Sequence, residues 1–215
     1  MKNLKILATA AFMTISSFAI AQEKSNDYRE NIYFGLKAGL NVSNIYDSNE
    51  DDFNADGKLG MVGGAVLNMP ISKYFGIQPE FLFSQKGFKG SGTFLGSEYN
   101  FTRTTSYIDI PLQLTFKASE FATFVAGPQF SYLINQKDVF DNSAGSFTHE
   151  EDFKNDNIRK NILGFVAGMD LYLDGFIIGG RVGWDFQDNH GDGTSDTPRY
   201  KNAWLQGTIG YTLFK

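Results

Sequence analysis

The chain has 215 residues, a formal charge of −5 at pH 7, 21 phenylalanines, 10 tyrosines, 23 glycines and no cysteine. Without cysteine there are no disulfide staples, no thiol nucleophile and no thiolate-bound metal, and the acidic balance argues against nucleic acid as a partner. Many aromatics and glycines against five prolines favour strands over helices, and with no Pro/Ser-rich linker the chain reads as one folded domain.

The amino-terminal stretch 1–21 carries Lys2 and Lys5, an apolar run from Ile6 to Ile20, and Ala19-Ile20-Ala21 before Gln22. This is the pattern of a secretory signal peptide cleaved after Ala21, and the run falls short of the ~20 residues a spanning helix needs. Cleavage leaves 194 residues and moves the charge to −7. Residues 22–30 then form a short leading segment and 31–215 the domain. No later stretch is apolar for long enough to span a membrane as a helix.

The first strand is expected over 31–43, with Ile32, Phe34, Leu36, Ala38, Leu40 and Val42 on one face and Tyr33, Gly35, Lys37, Gly39 and Asn41 on the other. The acidic stretch 44–58 leads to a weaker second strand, 59–69. After a short link at 70–74, the third strand, 75–87, sets Ile77, Pro79, Phe81 and Phe83 against Gln78, Glu80, Ser84 and Lys86. A polar connection, 87–98, leads to the fourth strand, 101–117, where Ile108, Ile110, Leu112, Leu114 and Phe116 oppose Tyr107, Asp109, Gln113 and Thr115. The turn 118–120 leads to the fifth strand, 121–135, followed by a charged, aperiodic stretch, 136–160. The sixth strand, 161–173, and the seventh, 176–187, flank Asp174-Gly175, a two-residue signal for a primed hairpin turn. A last loop, 188–199, precedes the eighth strand, 200–214.

Each strand has one apolar face. In a soluble sandwich that face would be the core; in a transmembrane barrel it meets lipid and the polar face fills the lumen. The connections decide, because they alternate long and short, as extracellular loops and periplasmic turns do. Tyr74, Phe75, Phe116, Phe121, Tyr172, Phe176 and Phe214 flank the short turns or the carboxyl terminus, as an interfacial girdle would. The expected fold is therefore all-β: an eight-stranded, antiparallel, up-and-down transmembrane barrel, with the soluble sandwich as the alternative. Pro79, Pro111 and Pro128 fall inside strands of a sheet that has no edge, so bulges or strand starts are expected to absorb them.

On this fold Lys37, Glu80, Lys86, Asp109, Asp170, Arg181 and Asp185 point inward. An eight-stranded barrel is filled by side chains, so these charges must pair and hydrogen-bond in a structural network; a proton path or small-ion site is the functional alternative. Asp52, Asn54 and Asp56, with Gly57, match half of a calcium loop, but Gly63 stands where the bidentate glutamate belongs, so no metal site is assigned. Asp188, His190, Asp192 and Gly193 repeat the spacing less well. The two histidines, His149 and His190, lie in loops; Ser146, His149 and Glu150 could be drawn as a lipid-hydrolase triad, but no strand is expected to hold them together. No cofactor motif appears.

The stretches IQPEFLFSQKG at 77–87, YIDIPLQLTFK at 107–117 and AGPQFSYLI at 126–134, with Arg181, resemble the eight-stranded outer-membrane barrels of the PorT-like or "porin family" type. The resemblance covers nearly the whole mature chain. It implies an outer-membrane location, outer-membrane lipid around the barrel and a barrel-assembly machinery that reads the last strand, although Lys215 follows the terminal Phe214. It brings no catalytic residues. The expectation is a filled, non-enzymatic barrel without cofactor, with a structural or interaction role carried by the loops at 44–58, 87–98, 136–160 and 188–199 toward an extracellular or envelope protein partner. A narrow porin-like channel, an accessory part of a protein secretion system and a lipid-modifying enzyme are the alternatives.

Overall fold

The computed structural model describes residues 29–46, 55–94, 97–142, 145–151, 158–190 and 199–214; the signal-peptide stretch lies outside them. Among the described residues there are nine strands: β1 (Tyr33–Tyr46), β2 (Ala55–Pro70), β3 (Phe75–Phe94), β4 (Ser97–Lys117), β5 (Ala122–Asn142), β6 (Gly145–Glu151), β7 (Asn161–Leu173), β8 (Phe176–Asp185) and β9 (Lys201–Phe214). Every pairing is antiparallel. The order β4-β3-β2-β1-β9-β8-β7-β5 closes through β4–β5 into an eight-stranded barrel, while β6 stands outside the closed ring on the upper part of β5.

The two-residue alternation sorts the side chains as an inverted core requires. Leu36, Leu40, Phe81, Leu114, Leu205 and Ile209 are all at least half exposed on the outer face, where a bilayer rather than water receives them. Inside, buried polar side chains outnumber buried apolar ones among the described residues. Tyr74, Phe75, Phe116, Phe121 and Phe176 are exposed around the short-turn rim. Tyr172 departs from the expected girdle: it is buried in the lumen, because Leu171 and Leu173 on either side take the outer face.

The expected hairpin at 174–175 is a turn with two positive φ angles, 46° at Asp174 and 93° at Gly175, the combination of a type I′ turn. The prolines need no bulge. On one side each proline is paired in register, Pro79 with Leu112, Pro111 with Gln129 and Pro128 with Phe165. On the other side the ladder skips two pairs around the proline and resumes without a shift. The missing N–H groups thus face local gaps rather than a disrupted register. Register shifts occur elsewhere, between Phe34 and Gly35, Gly57 and Val62, and Ser106 and Tyr107.

The loop side differs most from the sequence expectation. Residues 87–98 are not a loop: β3 and β4 stay paired from Gly87↔Thr104 to Phe94↔Ser97, roughly 23 Å of strand beyond Gly87. The stretch 136–160 extends β5 to Asn142 and returns as β6, paired from Gln136↔Glu151 to Asn142↔Gly145. Together the upper parts of β3, β4, β5 and β6 form a wing standing above the lipid-facing belt. Gly87 permits the change of course in β3: its φ is +139°, and a Cβ there would lie 2.0 Å from the carbonyl oxygen of Arg103.

The lumen as candidate functional site

Near the short turns the lumen holds an aromatic cluster. Tyr33, Val66, Tyr172 and Ile177 form a buried cluster, the two tyrosine rings meet edge to face at 5.7 Å, and their hydroxyls are hydrogen-bonded. The Tyr33 hydroxyl also donates to Gln78 Oε1 at 3.3 Å, as does Asn68 Nδ2 at 3.2 Å. Below them Lys117 Nζ donates to the Arg29 carbonyl at 2.6 Å, which ties Arg29 to the barrel.

Above this plug four charges converge from four strands. Lys37 on β1 pairs with Glu80 on β3 at 2.5 Å, and Arg181 on β8 pairs with Asp170 on β7 at 2.7 Å and with Glu80 at 3.7 Å. Arg181 spends its remaining donors on Gln113 Oε1 at 3.1 Å and on the carbonyls of Met169 and Gly180 at 3.0 and 3.1 Å, using the fork that lysine lacks. Gln78 Nε2 donates to Glu80 at 3.0 Å and to Asp170 at 2.9 Å. Two cations thus meet two anions, all deeply buried. This satisfies the condition under which ionised groups survive desolvation.

One layer higher, Lys86 on β3 reaches Asp109 on β4 at 3.3 Å and lies over the Trp204 ring at 3.7 Å and the Tyr107 ring at 4.9 Å, an ion pair reinforced by cation–π contacts. Gly183 makes room for the indole: a Cβ there would come within 2.3 Å of Trp204 Cζ2. Asp185 on β8 is buried beside this layer but, among the described residues, has no ion-pair partner. It accepts from Asn202 Nδ2 at 2.7 Å.

A further pair stands toward the loop side. Arg103 holds Asp138 through two hydrogen bonds of 2.9 and 2.7 Å and lies over Phe101 and Tyr200 at 5.3 and 5.9 Å, within the cluster of Phe88, Phe101 and Tyr200. Burial pushes the Tyr200 hydroxyl above its ordinary range, and the Arg103 guanidinium offsets part of that rise.

The structure therefore places six of the seven expected lumen charges in ion pairs and leaves Asp185 on an amide. It adds Arg103, Asp138, Lys58 and Lys117, all buried, to the inward charges expected from the sequence. Arg103 and Asp138 stand in stretches whose residues read as strand and loop, and only the β4–β5 register, Arg103↔Asp138, joins them. Trp204 is legible in principle, since Leu205 beside it faces out.

The calcium half-motif does not form a loop at its described residues. Asp56 and Gly57 belong to β2, paired with Lys89 and Phe88 of β3; Asp52 and Asn54 lie outside the described residues. Asp188 is held by Arg159 at 3.8 Å and Arg199 at 3.6 Å, while Asp192 and Gly193 lie outside the described residues. Ser146, His149 and Glu150 sit on β6 opposite Asp141, Asp138 and Lys137, a strand rather than the expected loop. His190 belongs to an isolated bridge with Ile158.

The family of outer membrane protein β-barrel domains matches residues 20–191. Solved structures similar to the chain include Neisserial surface protein A, with 9% identity over 86% of this chain and 100% of that one at a TM-score of 0.47. The outer membrane protein OprG from Pseudomonas aeruginosa follows at 11% identity, 88% and 100% coverage and a TM-score of 0.44. The attachment invasion locus protein Ail of Yersinia pestis, in complex with the heparin analogue sucrose octasulfate, shows 11% identity, 85% and 99% coverage and a TM-score of 0.42. No curated protein matches the chain. With residues 20–191 matched and the barrel closed around a polar lumen, the chain belongs to the outer membrane protein β-barrel domain family and resides in the outer membrane.

Proposed function

We propose that the protein is a non-conducting, non-enzymatic outer-membrane scaffold, without cofactor, whose loop-side wing engages an extracellular or envelope protein partner. The observation that carries this reading is the meeting of Lys37, Glu80, Asp170 and Arg181 across the middle of the lumen. Side chains joined by buried ion pairs, with an aromatic plug below and the Arg103–Asp138 pair above, leave solute transport without a path. The wing of β3, β4, β5 and β6 extends the regions expected to carry recognition into paired strands, a scaffold of the kind that positions binding loops. The motifs at 77–87, 107–117 and 126–134 support a place among PorT-like barrels, which makes an envelope component of protein export the partner to seek. Outer-membrane lipid covers the belt, and the assembly machinery reads β9.

The test is site-specific photo-crosslinking in intact cells from the exposed wing residues Lys89 and Lys137, with belt residues Leu114 and Leu205 as controls. A discrete protein adduct is expected from the wing and lipid adducts from the belt. Wing positions that give no protein adduct, in a barrel that conducts steadily, contradict the proposal.

A further inference from the structure

The charge balance of the lumen is uneven by layer. The quartet of Lys37, Arg181, Glu80 and Asp170 is neutral, and so is the Arg103–Asp138 pair at the mouth. Between them, Lys86 faces two carboxylates, Asp109 and Asp185, and its ion pair is with Asp109, while Lys58 on β2, the other buried lysine of the upper lumen, donates to the Leu59 carbonyl at 3.2 Å. Asp185 is 2% exposed. One of its oxygens accepts from Asn202, while the other, Oδ1, is buried without a hydrogen-bond partner, as is Asn202 Oδ1 beside it.

The surroundings give Asp185 no ion pair among the described residues. On β7 the residue opposite Asp185 is Gly164, whose missing Cβ would stand 3.1 Å from Asp185 Oδ1, so the unpartnered oxygen looks over a bare stretch of backbone. Tyr107 on β4 and Tyr200 before β9 are neutral neighbours in the aromatic clusters. Arg103 on β4 is taken by Asp138 on β5, and the Tyr46 hydroxyl on β1 bonds the main-chain oxygen of Asp185, not its carboxylate. Ile162, Leu133 and Tyr107 form an apolar cluster on one side of this layer, and Phe88, Phe101 and Tyr200 form another above it. A bare carboxylate between apolar clusters is strongly disfavoured unless a positive charge joins it.

We propose that Asp185 and Asn202 form a site for one small univalent cation, a proton or an alkali ion, drawn from solution into the upper lumen. Carboxylate and amide oxygens are hard donors suited to either and poorly suited to soft metals. One positive charge offsets the carboxylate that the Lys86–Asp109 pair leaves without an ion pair. The site sits above the Arg181 quartet and below the Arg103–Asp138 pair, so a guest held there lies between the two ion-paired layers.

The experiment uses the mature chain folded in detergent, as wild type, Asp185→Asn and Asp109→Asn. Infrared spectra are recorded at neutral pH in sodium, potassium and N-methylglucamine chloride, with the denaturant midpoint measured in each salt. Asp109→Asn frees Lys86 to serve Asp185, so it neutralises the layer internally even if Asp185→Asn fails to fold. If the guest is a proton, the wild type shows the carbonyl stretch of a neutral carboxylic acid in every salt, and Asp109→Asn loses it. For an alkali ion, that band is absent and the wild-type midpoint rises in sodium or potassium over N-methylglucamine, a rise that Asp109→Asn abolishes. An ionised wild type whose midpoint is indifferent to the cation overturns the proposal, and so does a band or salt response that Asp109→Asn leaves unchanged.

Discussion

Arg181 on β8 meets Asp170 on β7 at 2.7 Å across the diagonal of one hairpin, and the same nitrogen stands 3.7 Å from Glu80 on β3. A local pair is thereby tied to a strand distant in the sheet order. Replacing Arg181 by Met strands two buried carboxylates with Lys37 as their remaining ion-pair cation among the described residues, and the expected loss is about 3–5 kcal/mol. Arg181→Lys retains the charge but not the fork that reaches Gln113 and two carbonyls, so it recovers only part of the loss. Denaturant titration of the folded, heat-modifiable band measures both; an Arg181→Met midpoint equal to wild type would refute the quartet's role.

Gly87 is the second test. With a φ of +139° and only 2.0 Å between the place a Cβ would take and the Arg103 carbonyl oxygen, any side chain is costly there, of order 1–3 kcal/mol for the backbone conformation alone. The belt below does not depend on that position. Gly87→Ala should therefore keep the barrel's heat-modifiable mobility while the wing above it becomes sensitive to proteases between 88 and 103. A wing as resistant as wild type would contradict this.

The difference between these two sites also separates what the residues disclose from what they do not. Alternation such as Glu80, Phe81, Phe83 and Ser84 is readable because lipid and lumen demand opposite chemistry of neighbouring residues. Beyond Gly87 the sequence drops this alternation: Ser91, Gly92 and Thr93, or Thr102 and Thr104, carry no apolar row, and a paired strand looks like a loop. Tyr172 reads as a girdle residue through its nearness to Asp174-Gly175, although Leu171 and Leu173 already claim the outer face. The inward charges are legible one by one, but their partners are not, since pairing depends on register across strands far apart in sequence. The same limit hides the Arg103–Asp138 pair and the isolation of Asp185.

Alkaline titration tests the loop-side closure. Burial raises the Tyr200 hydroxyl above its ordinary value, with Arg103 offsetting part of the rise. The unfolded tyrosine ionises near pH ~10, whereas the folded one keeps its proton to higher pH. Its contribution is thus fully present below that unfolded value and is lost as pH rises toward the folded one. Tyr200→Phe should cost about 1 kcal/mol at neutral pH and show a shallower decline above pH ~10 than wild type. Denaturant midpoints against pH give both slopes; equal slopes would contradict the assignment.

We propose that this outer-membrane barrel is filled and does not conduct. The most direct measurement is heat-modifiable gel mobility of the refolded mature chain together with single-channel recording in planar bilayers. A shift between boiled and unboiled samples and no steady conductance are expected, because the Lys37–Glu80 and Arg181–Asp170 pairs meet across the lumen. A shift accompanied by steady conductance would contradict the claim.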